Sequence, residues 1–268
     1  MSVRRSCFLL TLTKHFTIFN CFLVLVFAGQ AFSDQGPCVE VLSISGAVEV
    51  CRTSETEYKK AIDDMLLQSG DKIKTSQDSY IELAFDENDS NVVRIEENTS
   101  AVLLLKEGEK IDLLEGRVFA IVSNLPSGSS FEIRTPTAIS GVRGTDWVTE
   151  VKENDTTVEA IEGSPYVSGI GADGKPMAEQ TLVLPGYTTR VKRFQRPSAL
   201  VRIPEERYLK WKATRIKVRE RAQEVFKRRR LLRKPFKQDI KQDIKQDVIK
   251  DIRQNRIRNI KRTPKIPR

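Results

Sequence analysis

The stretch FEIRTPTAISGVRGTDWVTEV, residues 131–151, decides the fold of this 268-residue chain. Apolar and polar residues alternate in its first five and last six positions, as they do in half-buried β-strands. Pro136 interrupts the first run because proline lacks a backbone donor and restricts the residue before it. Gly141 and Gly144 allow positive φ or a close backbone approach at a sharp corner. The stretch therefore predicts strand, corner and strand, with Arg143 between the two glycines.

The same pattern extends on both sides of this stretch and predicts an all-β module over residues 38–191. Short apolar runs of strand length recur there, with glycine, asparagine or aspartate between them. The runs are Val39–Ser45, Ala47–Val50, Tyr80–Phe85, Val92–Ile95, Ala101–Leu105, Ile111–Leu114, Val118–Val122, Phe131–Arg134, Asp146–Val151, Thr157–Ile161, Tyr166–Ile170, Thr181–Leu184 and Thr188–Val191. One helical turn is predicted in Tyr58–Leu67. Many short strands with frequent corners favour a sandwich, a roll or a short β-solenoid.

Residues 1–33 have the composition of a secretory signal peptide. Arg4, Arg5 and Lys14 supply its positive charge, Phe16–Phe32 is mostly apolar, and small residues at its end suit cleavage. The apolar run is shorter than the ~20 residues of a membrane-spanning helix. We therefore expect cleavage and export to the periplasm or cell envelope of a bacterium, with an uncleaved anchor as the alternative.

Export gives the cysteines an oxidising environment. Two of the four cysteines leave with the signal, and Cys38 and Cys51 remain. An even pair in an exported chain predicts a disulfide. The two ends would meet if the chain folded back near Gly46, and two independent buried thiols are the alternative.

The single histidine, His15, lies inside the signal, so the mature chain has no imidazole. This excludes Ser-His-Asp and Cys-His nucleophiles and any zinc site that needs histidine. The missing histidine does not exclude a hydrolase that uses a pair of carboxylates, but no particular pair is distinguished from the other acidic residues. We predict no enzyme activity, no catalytic residue and no cofactor.

Residues 86–97 have part of the spacing of a calcium-binding loop, with oxygen-bearing side chains at positions one, three, five and twelve. The sixth position, however, is Asn91 rather than glycine, and the flanking segments are predicted strands rather than helices. A polar hairpin turn fits better, so no metal site is predicted.

The net charge of +9 combines two parts of opposite sign. Residues 190–268 contain 29 Lys and Arg against 8 Asp and Glu, a net charge of +21, and the signal contributes +3. Residues 34–189 therefore carry −15. An acidic β module is followed by a strongly basic tail.

The tail predicts two helices after a linker at 192–203. Pro204 and two following acids suit a helix start, and apolar residues at spacings of three and four continue to Leu232. A basic amphipathic helix is therefore predicted over 204–234, although Arg215 and Arg229 interrupt its apolar stripe. The repeated Lys-Gln-Asp-Ile sequence predicts a second charged helix over 237–260, and 261–268 is predicted to be disordered.

Three hypotheses account for the basic tail. It folds back on the acidic module, it binds an anionic envelope polymer or membrane surface, or it pairs with a helix of a periplasmic protein, because residues 211, 218, 225 and 232 are seven apart. A nucleic acid suits the charge but not the exported compartment. The candidate contact residues are Trp211, Lys212, Arg215, Arg219, Lys227, Arg228, Arg229 and Arg230.

These motifs together resemble the FecR domain family over about Val39–Val191. The most specific part is RTPTA at 134–138 followed by GVRGT at 141–145. Supporting pieces are SGAV at 45–48, LQSGDKIKT at 67–75, LEGRV at 114–118, EG at 162–163 and LPG at 184–186. The resemblance implies a mainly β, solenoid-like or roll-like extracytoplasmic module, here followed by a basic α-helical tail.

The best-studied FecR-like proteins are transmembrane regulators of extracytoplasmic-function sigma factors, with a sigma-binding region before their membrane span. About 15 residues precede the apolar segment here, too few for a folded domain. The chain therefore resembles a stand-alone exported FecR-like protein that lacks the sigma-binding region.

The resemblance also singles out six motif residues with a structural or ligand-binding role, namely Thr135, Pro136, Gly141, Arg143, Gly144 and Thr145. One hypothesis is that Arg143 pairs with a nearby acid while the corner closes the core. The other is that its planar guanidinium binds an anionic ligand.

We therefore expect a non-enzymatic exported envelope protein. Its FecR-like module would act as a scaffold or ligand-binding domain, and its tail would attach it to an anionic surface or to a partner. The alternative is a periplasmic signalling component related to FecR-type sigma-factor regulation. A carboxylate-dependent hydrolase is the third reading.

Overall fold

The computed structural model describes residues 37–86, 91–105, 108–123, 125–142, 144–231 and 250. The predicted signal peptide, Arg143, the predicted second tail helix and the predicted disordered end lie outside the described residues, apart from residue 250. No helix in the described ranges is long and apolar enough to cross a membrane.

Seventeen strands and one long helix are formed by these residues. The strands are β1 (Cys38–Ser45), β2 (Val48–Cys51), β3 (Lys59–Lys60), β4 (Leu66–Gln68), β5 (Lys72–Thr75), β6 (Tyr80–Ala84), β7 (Asn91–Ile95), β8 (Thr99–Leu103), β9 (Gly108–Val122), β10 (Phe131–Arg134), β11 (Ala138–Val142), β12 (Asp146–Lys152), β13 (Asp155–Glu162), β14 (Tyr166–Gly169), β15 (Thr181–Leu182), β16 (Tyr187–Val191) and β17 (Val201–Arg202). The helix, α1, occupies 205–231.

The strands form two sheets that share β9. In the first sheet the order is β4–β1–β6–β7–β9–β12–β13–β16–β17. In the second sheet the order is β3–β2–β5–β8–β9–β10–β11–β14–β15. These pairings are antiparallel except that of β10 with β9, which is parallel.

Strand β9 crosses from one sheet to the other at Gly116. Its first half pairs with β8 and β10, and its second half pairs with β7 and β12. Gly116 has a φ of +91°, a conformation that favours glycine. An added Cβ would lie 2.5 Å from Thr99 Cα and 2.6 Å from Asn98 O. The glycine therefore permits both the bend and the close approach of the 98–99 turn.

The alternation of side chains along β9 builds a separate core on each face of the first sheet. Val118, Ala120 and Val122 belong to the core that also contains second-sheet residues. Phe119 and Ile121 point to the opposite face and pack in a second core together with residues of α1. The molecule is consequently layered as second sheet, first sheet and helix.

The mainly β prediction with a C-terminal helix is confirmed. The two predicted runs at 111–114 and 118–122 are parts of the single strand β9. The helical turn predicted at Tyr58–Leu67 is wrong, because β3 and β4 lie there. The antiparallel pairings do not confirm a solenoid.

Candidate functional site

The candidate site is the face of the first sheet beneath α1, where apolar packing and buried ion pairs occur together. Trp211, Val218 and Ala222 point from the helix into this face and are buried. The Trp211 ring packs on Phe119 with 5.3 Å between ring centroids. The apolar residues spaced seven apart from Trp211 to Val225, which favoured a partner helix, thus pack against the chain's own sheet.

Three carboxylates of the first sheet are buried beneath the helix. Glu82 of β6, Asp146 of β12 and Glu159 of β13 are each at most 3% exposed. A buried carboxylate is strongly destabilising without hydrogen bonds and a countercharge. Arginines of α1 provide both for all three.

The first half of α1 pairs with Glu159 and Asp146. Arg207 Nη1 donates to Glu159 Oε1 at 2.8 Å, and Trp211 Nε1 donates to the other oxygen at 2.9 Å. Asp146 accepts hydrogen bonds from Arg215 and, at 3.3 Å, from Arg219 Nη2. The hydrogen bond that Arg207 donates to Glu159 raises the pKa of Arg207 above its ordinary value.

Glu82 receives arginines from both the sheet and the helix. Arg94 Nη1 donates to it at 2.9 Å, and Arg221 Nε donates to its second oxygen at 2.9 Å. Hydrogen bonding to Glu82 raises the pKa of Arg221. Burial lowers the pKa of Arg94, but the hydrogen bonds that Arg94 donates to Glu96 and Glu82, and the attraction of their charges, outweigh burial and raise the pKa. Both guanidinium groups are therefore held in the charged form.

At the far end of α1, Arg229 bridges two acids. Its Nη1 lies 2.8 Å from Glu40 Oε2, and its Nη2 lies 2.9 Å from Asp64 Oδ1. Contacts of this kind thus run along the whole described helix. We call the five helix residues involved the arginine clamp, namely Arg207, Arg215, Arg219, Arg221 and Arg229.

The clamp divides the predicted tail-contact residues into two sets. Trp211, Arg215, Arg219 and Arg229 contact the first sheet. The other four are exposed on the helix and are Lys212, Lys227, Arg228 and Arg230. The structure therefore uses half of these residues for intramolecular contacts. Sequence reasoning missed the carboxylates Glu82, Asp146 and Glu159 that receive them.

The motif residues Thr135 and Thr137 link the two sheets through hydroxyl groups. Thr156 Oγ1 of β13 lies 2.7 Å from Thr135 Oγ1 and 2.6 Å from Thr137 Oγ1. Thr135 Oγ1 also donates to Ala138 O at 3.0 Å, which closes the turn around the exposed Pro136. These hydroxyls are buried and satisfied within the chain, so they act as a structural corner.

The two glycines of the motif differ in their surroundings. A Cβ at Gly141 would lie 2.5 Å from Tyr166 Oη, whose hydroxyl donates to Glu132 across the strand. Gly144 has a φ of +138° and open space around it. Thr145 O accepts a hydrogen bond from Val122 N at 3.1 Å. Arg143 lies outside the described residues, so its ligand-binding role stays a prediction.

The predicted disulfide between Cys38 and Cys51 is not formed in this structure, because both are free thiols. Their strands, β1 and β2, diverge into different sheets instead of pairing as a hairpin. Cys51 is buried, and its Sγ donates to Glu55 O at 3.3 Å.

A cleft of about 510 Å³ opens at the end of the module where β1 begins. Its apolar lining includes Phe85 and Phe131, whose rings meet edge to face at 5.0 Å, together with Leu105 and Leu125. The volume is sufficient for a small ligand or a side chain of a partner. In the described ranges, no three His, Cys, Asp or Glu side chains come together as a metal site.

Comparison with known proteins identifies one family. Residues 71–164 match the sequence model described as FecR protein. No curated protein matches the chain. Two crystal structures of a Parabacteroides distasonis protein assigned as an anti-sigma factor are each 15% identical to it, with a TM-score of 0.42. The match covers 52% of this chain and 63% of that protein.

Proposed function

Because residues 71–164 form a FecR-like domain, we propose that this chain is a non-enzymatic signalling module of the bacterial cell envelope that acts by contact with a protein partner. The observation that carries the proposal is the arginine clamp, which makes α1 a part of the folded module. A scaffold anchored by a free polybasic helix, which the composition favours, has less support.

The charges that remain on the outside of α1 support this choice. The clamp arginines already have carboxylate partners, so binding a polyanion through them would require those pairs to separate, including the pairs with the buried Glu82, Asp146 and Glu159. The exposed acids Glu205, Glu206, Glu220 and Glu224 lie among the exposed lysines and arginines. A face of mixed sign suits a specific protein surface better than a uniformly anionic polymer.

The buried carboxylates also favour a binding role over hydrolysis. Glu82, Asp146 and Glu159 each accept hydrogen bonds from arginine beneath α1, so their oxygens are engaged within the chain and covered from solvent. A catalytic carboxylate must instead lie within hydrogen-bond reach of its substrate. This pairing therefore gives no support to the carboxylate-dependent hydrolase.

Site-specific photo-crosslinking in living cells tests the protein-partner proposal. A photoreactive residue is placed on three surfaces, at the exposed residues Ile62 and Leu182 and at the half-buried cleft-rim residue Ser129, with the buried helix position Val218 as the control. We expect one surface to give an adduct of discrete mass that contains an envelope protein, and the control to give none.

The signalling part of the proposal has its own readout. We expect that deletion of the gene changes a defined set of transcripts, and that the wild-type chain restores them. A variant altered at the crosslinking surface, but equally stable, should fail to restore them. Adducts with lipid or polymer alone, or an unchanged transcript profile, would contradict the proposal.

A further inference from the structure

The outward face of α1 carries charges in an alternating order along the helix. Acids come first at 205 and 206, bases follow at 210, 212 and 217, acids return at 220 and 224, and bases end the sequence at 227, 228 and 230. All ten of these side chains are exposed. A sequence of signs that reads minus, plus, minus, plus is complementary to itself when it is reversed.

We propose that this face of α1 binds the same face of a second copy of the chain, with the two helices antiparallel about a two-fold axis near residue 217. Glu206 then faces Arg228 of the second copy, and Lys210 faces Glu224 of the second copy. Both pairs are centred on residue 217, so a single axis satisfies them together. The symmetry repeats each pair, which gives four ion pairs, as in other self-complementary two-fold interfaces.

The helical geometry aligns these four side chains along one stripe of α1. Residues 206, 210, 217, 224 and 228 follow one another at spacings of four and seven, which keeps them aligned on an α-helix. Residues 206 and 228 are separated by about 33 Å along the axis at 1.5 Å per residue. Charges at the edges of two antiparallel helices can therefore meet over most of their length.

Exposed apolar side chains lie where the two helices would touch. Leu209 is 56% exposed and Ile216 is 55% exposed, and the exposed Ala213 lies between them. Ile216 is next to the proposed axis, so the two copies of Ile216 would pack on each other. A contact between two helices buries less surface area than a standard protein interface. We therefore expect a reversible dimer with a Kd of roughly 10 to 100 µM.

One residue opposes the pairing. Lys217 lies on the axis, where it would face its own copy, and like charges repel. Its removal gives a prediction specific to this geometry. Lys217→Ala should strengthen the dimer, whereas removal of a lysine from a polyanion-binding surface would weaken binding.

Sedimentation velocity of the full mature chain from about 1 to 200 µM tests the proposal around the expected Kd. Lys210→Glu and Glu224→Lys, each made alone, should weaken the dimer by on the order of tenfold, because each replaces attraction with repulsion at two symmetric places. The double variant should restore association. Lys72→Glu, an exposed change on the second sheet, matches the charge change of the first variant and should have no effect.

Three results would overturn the proposal. These are a chain that stays monomeric at 200 µM, single variants that behave as the Lys72→Glu control, and a double variant that remains as weak as the single ones. Far-UV circular dichroism of each variant shows that α1 is retained. Both proposals use the outward face of α1, but their failures are distinguishable, since a monomer can still give a crosslinked envelope protein and a dimer can give none.

Discussion

Gly116 is the residue at which backbone conformation and packing act together. Gly128 has a similar φ of +86° against +91°, but an added Cβ there meets nothing within 4 Å. A substitution at Gly128 therefore measures the cost of the positive φ alone. We expect Gly128→Ala to lower the free energy of unfolding by about 1 kcal/mol. Gly116→Ala should lower it by about 3 kcal/mol or more, because the new Cβ also overlaps backbone atoms.

Urea denaturation followed by tryptophan fluorescence measures both changes, since Trp147 and Trp211 are buried. An equal loss in the two variants would show that the 98–99 turn moves away without cost, and that Gly116 acts only through its backbone angle.

Glu82 is the second residue with a distinct expectation. Its side chain is fully buried and faces both Arg94 and Arg221. Glu82→Gln keeps the shape but removes the charge, which should lower the free energy of unfolding by about 3 kcal/mol, because Arg221 loses its carboxylate partner and Arg94 retains only Glu96. Glu162→Gln removes a 60% exposed partner of Arg215 and should change it by less than about 1 kcal/mol.

The comparison of Glu82→Gln with Glu162→Gln by chemical denaturation separates buried from surface pairing. If the two variants lose the same stability, desolvation is not what distinguishes the clamp contacts.

At this scale the sequence predicts positions better than contacts. Pro136 indicated a break in the strand, and it lies between β10 and β11. Gly141 was expected at a corner but lies inside β11, whereas Gly144 lies between β11 and β12. The hydroxyl contacts of Thr135 and Thr137 with Thr156 could not be read from the sequence, because they join the β10–β11 turn of one sheet to β13 of the other. Alternation assigns a side chain to a face but does not say which strand lies opposite.

The helix α1 is the element whose packing depends most on one side chain. Trp211 fills the face of the first sheet against Phe119 and donates to Glu159. Trp211→Ala should lower the free energy of unfolding by about 3 to 5 kcal/mol, as truncation of a large buried side chain does. Leu209→Ala, two residues away on the exposed side of the helix, should change the free energy of unfolding by no more than about 0.5 kcal/mol.

Hydrogen exchange locates the loss. We expect the amides of 205–231 to exchange faster in Trp211→Ala than in Leu209→Ala, with a smaller change in β9. Protection of α1 that is equal in the two variants would show that the arginine clamp alone holds the helix.

The sequence contained a signal for the clamp at the scale of elements. Arg215 and Arg229 interrupt the apolar stripe of the predicted helix, and in the structure both pair with acids of the β module. Basic residues on the buried side of a helix indicate acidic residues on the surface that covers it. The acids themselves gave no signal, because a polar position on an alternating strand looks the same whether that face is covered or solvated.

At the scale of the whole molecule, α1 covers the apolar residues on one face of the first sheet. A chain that ends at Pro197 would expose Phe119, Ile121, Val148 and Ile161 on one surface. We expect this shortened chain to aggregate and to bind an apolar dye, because exposed patches of this kind associate. A chain that ends at Leu231 retains α1 as described and should stay monodisperse at low concentration. Light scattering and dye fluorescence measure the difference, and a monodisperse 197-residue chain would contradict the layered account.

The sharing of β9 between the sheets also sets a constraint on how the chain acquires its structure. Each sheet needs part of β9 between its other strands, so neither can be completed before residues 108–122 are in place. The register of one half is carried through the bend at Gly116 into the other half, so an error in one sheet becomes an error in both. The two sheets should therefore form in one cooperative step. Pairing between strands is less local than helix formation, so that step should take milliseconds to seconds rather than microseconds.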